Sequence, residues 1–211
     1  IESLYSSLGY NSAKAEAKLR EIDKNNFDLL IEIDRGEKTK ISKISFIGNN
    51  NVRSMRLKDV IASEEDKFWK VISKNTILSE NLINLDIRLL SNYYKSIGFY
   101  DVKVNSNLAE LSNTGEAKLI YSIDEGIRYT IDKISTKIDP VYDNRLFFPL
   151  NKTYQKYIGE YYSPFKIKKI LEELDELIDK NNLQFVEHNV QEIIDGNSIN
   201  IIFNVFEGEK T

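Results

Sequence analysis

The sequence predicts an α+β protein made of tandem units, each a strand, two helices and two further strands. The two helices pack on one face of a three-stranded mixed sheet. Three observations carry this. An alternating strand followed by a glycine turn occurs three times: Phe27, Leu29, Ile31 and Ile33 before Gly36; Ala117, Leu119, Tyr121 and Ile123 before Gly126; Ile199, Ile201, Phe203 and Val205 before Gly208. Period-two alternation suits a half-buried strand, because successive side chains point to opposite faces. A basic residue stands two positions after each glycine: Lys38, Arg128 and Lys210. The glycines recur at roughly 80–90 residues, too long for a solenoid repeat and about the size of a small domain. Between them lie stretches with apolar residues at three- and four-residue steps, the signature of amphipathic helices.

The bulk properties agree. Of 211 residues, 41% are hydrophobic and 11% aromatic, enough for packed cores. A net charge of −4 disfavours a nucleic-acid partner. The chain has no cysteine, so disulfide and thiol chemistry are excluded. No apolar run reaches the roughly 20 residues of a membrane helix.

Residues 1–39 read as the back half of a unit. Leu4–Gly9 is a helix end with a glycine cap, Ala13–Leu19 a strand, and Phe27–Ile33 its hairpin partner; the core of this partial unit is expected to be incomplete. Residues 40–126 form a full unit. Ile41–Ile47 is the first strand and Gly48–Asn51 a turn. Ser54 is placed to N-cap a short helix carrying Leu57, Val60 and Ile61. The long helix starts near Glu80, with a stripe of Leu78, Leu82, Leu85, Leu89 and Tyr93, widened by Leu90, Tyr94 and Ile97. Gly98 stops it. A strand over Tyr100–Leu108 and the closing strand follow. Residues 127–211 repeat the order. Asp143–Leu150 reads as a poor helix broken by Pro149. Ser163-Pro164 opens the second long helix, with proline at its first position. Asn181-Asn182 takes the place of the capping glycine, and asparagine tolerates the left-handed conformation next best.

These residues resemble POTRA domains, the polypeptide-transport-associated modules in the periplasmic arm of outer-membrane assembly proteins. The resemblance rests on Ile44-Ser45-Phe46-Ile47-Gly48-Asn49, on Tyr93-Tyr94 followed by Gly98-Phe99-Tyr100, on Glu125-Gly126 and Glu207-Gly208, and on Gly159-Glu160-Tyr161-Tyr162. Within the family, residues 1–39, 40–126 and 127–211 are similar to parts of a second, third and fourth POTRA of a β-barrel assembly protein. The resemblance implies a noncatalytic periplasmic arm of a Gram-negative outer-membrane protein. The partners it implies are unfolded outer-membrane proteins and other assembly subunits, with the membrane reached only through a barrel domain outside these residues. With one histidine and no phosphate-loop or dinucleotide motif, no cofactor and no metal are expected. Two alternatives stand beside this: the arm of a related transport or secretion barrel, and a carboxylate-based hydrolase.

The candidate partner surface is the edge strand carrying Tyr100, Asp101, Val102, Lys103, Val104 and Asn105. An exposed edge presents backbone donors and acceptors that pair with an extended peptide of almost any sequence. The plainer reading is that its apolar side chains only pack under the helices. Phe68 and Trp69 form a candidate hot spot, unless that loop folds back onto the core. Asp34, Arg35, Gly36 and Lys38, with Asp124, Glu125, Gly126 and Arg128, are candidate joint residues, where salt bridges would set the angle between units. Catalysis finds little support. His188 is the single histidine and reads as an exposed strand residue, and no spacing singles out a pair of acids.

Overall fold

The structure, a computed structural model, describes residues 1–23, 26–67, 74–111 and 115–208. The chain divides into two compact units, Ile1–Ser91 with Lys103–Asp124, and Asn92–Val102 with Glu125–Thr211.

The first unit opens with helix α1 (Glu2–Ser7) and an antiparallel hairpin of β1 (Lys14–Asp23) and β2 (Asn26–Asp34). This hairpin is a two-stranded sheet by itself. Its alternating apolar side chains lie in the open: Leu19 is 75% exposed, Phe27 59% and Leu29 62%. The pattern of a half-buried strand is present without a layer to bury it.

Then come β3 (Lys40–Ile47), α2 (Ser54–Val60), α3 (Glu80–Ser96), β4 (Lys103–Leu111) and β5 (Glu116–Asp124). The sheet order is β3-β5-β4. The closing strand β5 is therefore central, parallel to β3 and antiparallel to β4. Ala117, Leu119, Tyr121 and Ile123 are buried, as their alternation predicts. Two local expectations are corrected. Arg53, not Ser54, is the N-cap of α2. Ser54 is the first helical residue, and its hydroxyl instead takes a hydrogen bond from the Asn49 amide at 3.1 Å. The buried stripe of α3 is Asp86, Leu90 and Tyr94, each fully buried, while Leu85 is 36% exposed. The helix is rotated by about one residue from the leucine stripe, and a carboxylate sits in the core.

The second unit holds β6 (Thr130–Ile138), α4 (Leu150–Tyr157), α5 (Pro164–Lys180), β7 (Val186–Asp195) and β8 (Ser198–Glu207). Its sheet order is β6-β8-β7, with β6 parallel and β7 antiparallel to the central β8. Here Pro149 does not break a helix. A short 3-10 turn, Asn144–Phe147, precedes it, and Pro149 is the N-cap of α4 at φ −55°. A proline at a helix start loses no hydrogen bond, since the first N–H groups have no intrahelical partner. Asn182 takes φ +50° after α5, in the role of the missing glycine. Leu150, Tyr154, Ile170 and Leu174 pack against Ile131, Ile199, Ile201 and Phe203.

A candidate strand-addition edge

The segment Tyr100–Asn105 is divided in two. Tyr100 and Asp101 lie in a turn, Val102 follows, and β4 begins only at Lys103. The cause is the packing of the two leading side chains. The Tyr100 ring meets Tyr162 edge-on at 5.0 Å between centroids. Its hydroxyl bonds Glu192, and that bond together with burial pushes its pKa up to about 12. Tyr162 donates to the same carboxylate at 2.8 Å. The Asp101 carboxylate accepts the Tyr129 hydroxyl at 2.6 Å. Val102 and Val104 are buried, whereas Lys103 and Asn105 are exposed. Val102 and Val104 thus serve the interior, and what β4 offers outward is its backbone with the exposed Lys103 and Asn105.

β4 is bonded on one side to β5; among the described residues its other side carries no strand. The opposite edge of this sheet is covered. The Asp66 N–H donates to the Ile41 carbonyl at 2.7 Å. The Ile44 N–H donates to the Glu65 carboxylate at 3.1 Å. Glu65 is in turn paired with Lys58. Partial burial alone raises the Glu65 pKa, but the Lys58 ammonium, the Ile44 N–H and Lys67 outweigh it and hold the carboxyl below its ordinary value. Sequence reading missed Glu65, because an acid in Glu64-Glu65-Asp66 looks like a solvated run. It also missed Asp86, which accepts the N–H groups of Ala62 at 2.6 Å and Ser63 at 3.1 Å, and the Tyr121 hydroxyl. Burial first, and then the Asp86 charge, raise the Tyr121 pKa well above the ordinary tyrosine value. The signal for Asp86 was its place four residues before Leu90 and eight before Tyr94.

Several of the candidate joint residues contact rings and backbone. Asp34 accepts the Gly36 N–H at 3.1 Å, which fixes the turn at Gly36. Arg35 and Lys38 lie over the Tyr10 ring, at 5.5 and 5.3 Å. Asp124 ends β5 opposite Lys103, and Gly126 takes φ +65°. Glu125 is buried and accepts the Tyr94 hydroxyl at 2.9 Å. The Arg128 guanidinium stacks 3.4 Å from the centre of Tyr161, and its Nε donates to the Ile97 carbonyl at 2.6 Å. His188 is half-buried and bonded to Asp175 at 2.8 Å, not free on its strand. Phe68 and Trp69 lie outside the described residues.

Residues 39–126 match the POTRA family, described as "Surface antigen variable number repeat". Over these residues the chain is similar to that family, and the two mixed sheets have the same order, edge–centre–edge. Among the proteins it is similar to are outer membrane protein assembly factors named BamA. The chain is 26% identical to that of Neorickettsia risticii over 135 residues, covering 64% of this chain and 18% of that protein. It is 25% identical to that of Buchnera aphidicola over 188 residues, covering 85% of this chain and 29% of that protein. The chain thus spans less than a third of the length of these relatives. The crystal structure of Haemophilus influenzae BamA POTRA3-5 superposes with a TM-score of 0.55 at 16% identity, covering 97% of this chain and 76% of that one. BamA from Haemophilus ducreyi lacking POTRA domains 1-3 gives 0.56 at 14% identity, over 80% of this chain and 29% of that one. These likenesses are of fold. Among the described residues no helix is long and apolar enough to cross a membrane.

Proposed function

We propose that this chain is part of the periplasmic arm of a Gram-negative outer-membrane protein that assembles β-barrels, and that it works by binding rather than by catalysis. Unfolded outer-membrane proteins add as strands along the outer edge of β4, accessory assembly subunits dock on the arm, and a barrel domain elsewhere in the parent protein receives the substrate. The observation that carries this reading is the free edge of β4, in a sheet whose other edge is covered by Glu65 and Asp66. Backbone pairing recognises extended chains with little regard to sequence, which suits a carrier of many barrel precursors. We further propose that residues 1–39, 40–126 and 127–211 are successive POTRA units.

The test is an amide-shift titration of the whole chain with a peptide from an outer-membrane barrel strand, together with proline at Asn105 and, separately, at Ser106. Neighbouring residues of β4 face opposite ways, so one proline removes an outward donor and leaves the β4–β5 ladder intact. That variant should stay folded and lose binding. Retained binding in both folded variants would refute strand addition at β4.

A further inference from the structure

We propose that the basic residue two positions after the glycine turn is the latch of a clasp that the chain builds twice. Each clasp fastens the residue before an edge strand to the glycine that ends an earlier helix. The latch is Lys38 in one and Arg128 in the other. This inference does not rest on strand addition at β4.

Each clasp is a relay of backbone bonds. In the first, the Thr39 N–H donates to the Gly9 carbonyl at 3.0 Å, and the Thr39 carbonyl accepts the Leu78 N–H at 2.8 Å. In the second, the Tyr129 N–H donates to the Gly98 carbonyl at 2.9 Å, and the Tyr129 carbonyl accepts the Tyr162 N–H at 3.0 Å. Thr39 and Tyr129, the middle members, are both buried. The glycines match as well. Each stands two residues past a helix, α1 or α3, at φ +95° and +105°. A Cβ on Gly9 would meet Ile77, and one on Gly98 would meet Tyr161. In each case the obstacle is the residue just before the last donor of the relay. The first clasp lies wholly within the first unit and the second wholly within the second.

The latch sits beside the middle member. The end of a helix gathers partial negative charge, so a cation is favoured there. The Lys38 ammonium lies 5.3 Å from the centre of the Tyr10 ring, and Arg35 joins it at 5.5 Å. The Arg128 guanidinium lies 5.8 Å from the centre of Phe99 and 3.4 Å from that of Tyr161. Its Nε also donates to the Ile97 carbonyl at 2.6 Å. Tyr10 and Phe99 each follow the glycine of their own relay. The cation therefore grips the aromatic residue next to the carbonyl that the relay uses. Attraction to a ring face needs a positive charge more than a fixed donor geometry, so lysine can hold one clasp and arginine the other.

The experiment is amide hydrogen exchange on the whole chain. Arg128→Ala, at an exposed position, should speed exchange at Tyr129 and Tyr162 together by roughly tenfold and leave Ile201 on the central strand unchanged. Lys38→Ala should do the same at Thr39 and Leu78 and spare Leu119. Arg128→Lys should restore part of the protection that Arg128→Ala loses. Unchanged exchange at the relay amides in both alanine variants would overturn the proposal. So would equal acceleration at Ile201 or Leu119, which marks a general loss of stability, or an Arg128→Lys variant no better protected than Arg128→Ala.

Discussion

Removing the Asp86 carboxylate should unfold the first unit at much lower denaturant. Asp86 is fully buried on α3 and collects three donors: two backbone N–H groups of the loop after α2, and the hydroxyl of Tyr121 on the central strand. It therefore ties loop, helix and sheet at one point. In Asp86→Ala all three donors lose their acceptor in a dry interior. A buried donor left unsatisfied costs about 1–3 kcal/mol, and breaking a buried charged network by removing one partner typically costs about 3–5 kcal/mol. We expect a loss of about 4 kcal/mol, a large share of the stability of a small domain. Tyr121→Phe deletes only one donor and leaves Asp86 with two, so it should cost about 1–2 kcal/mol. The double variant should cost less than the sum, by roughly 1 kcal/mol, because the two groups share a bond. Hydrogen exchange at Leu119 and Ile131 under increasing urea reads the two units separately. Leu119 should lose protection at lower urea than in the unaltered chain. A loss below about 0.5 kcal/mol in Asp86→Ala would refute the reasoning, since that is the scale of an ordinary surface substitution.

Three further outcomes are expected. Gly98 sits at φ +105°, and a Cβ there would meet Arg128 Cγ at 2.9 Å and Tyr161 Cβ at 3.2 Å; Gly98→Ala should cost about 1–3 kcal/mol, measured as a fall in the melting temperature of the second unit. Glu65→Ala frees the Ile44 N–H and the Lys58 ammonium at the edge of β3; a loss of about 1 kcal/mol is expected, with concentration-dependent self-association in sedimentation as the exposed edge finds a partner. Tyr121 has its pKa raised by folding, so the folded state keeps the hydroxyl proton that the unfolded chain gives up; stability should hold below the ordinary tyrosine pKa of about 10 and fall as pH rises above it, a slope that urea titrations between pH 8 and 11 should find reduced in Tyr121→Phe.

Much of the fold was legible because the closing strands must alternate. Ala117–Ile123 and Ile199–Val205 are central strands with one face on the helices, and their burial follows the sequence residue by residue. The α3 stripe was misplaced because Asp86 carries a charge, and sequence periodicity assigns charges to the outside. What reverses this is a set of donors brought from a loop and a strand that lie far apart in the chain. Pro149 misled for a related reason: a breaker and a helix start look alike until the next turn is seen to continue. The candidate edge was legible as a strand but not in its extent. Tyr100 and Asp101 alternate like strand residues, yet Tyr162, Glu192 and Tyr129 hold them in a turn. Which edges lie open was not legible at all, since it depends on whether a loop acid such as Glu65 reaches back to the strand.

In both sheets the strand at the centre is the one made last. Lys40 must wait for Glu116, and Thr130 for Ser198, before either has a parallel neighbour. β4 and β7 likewise have no sheet partner until the strand that follows them exists. The outer strands of each unit thus have no sheet partner until its final strand is in place. Parallel pairing at such long sequence separation is slow, because the whole intervening loop must close first. The order of strands therefore makes the sheet of each unit depend on its last strand, and its pairing on contacts far apart in the chain.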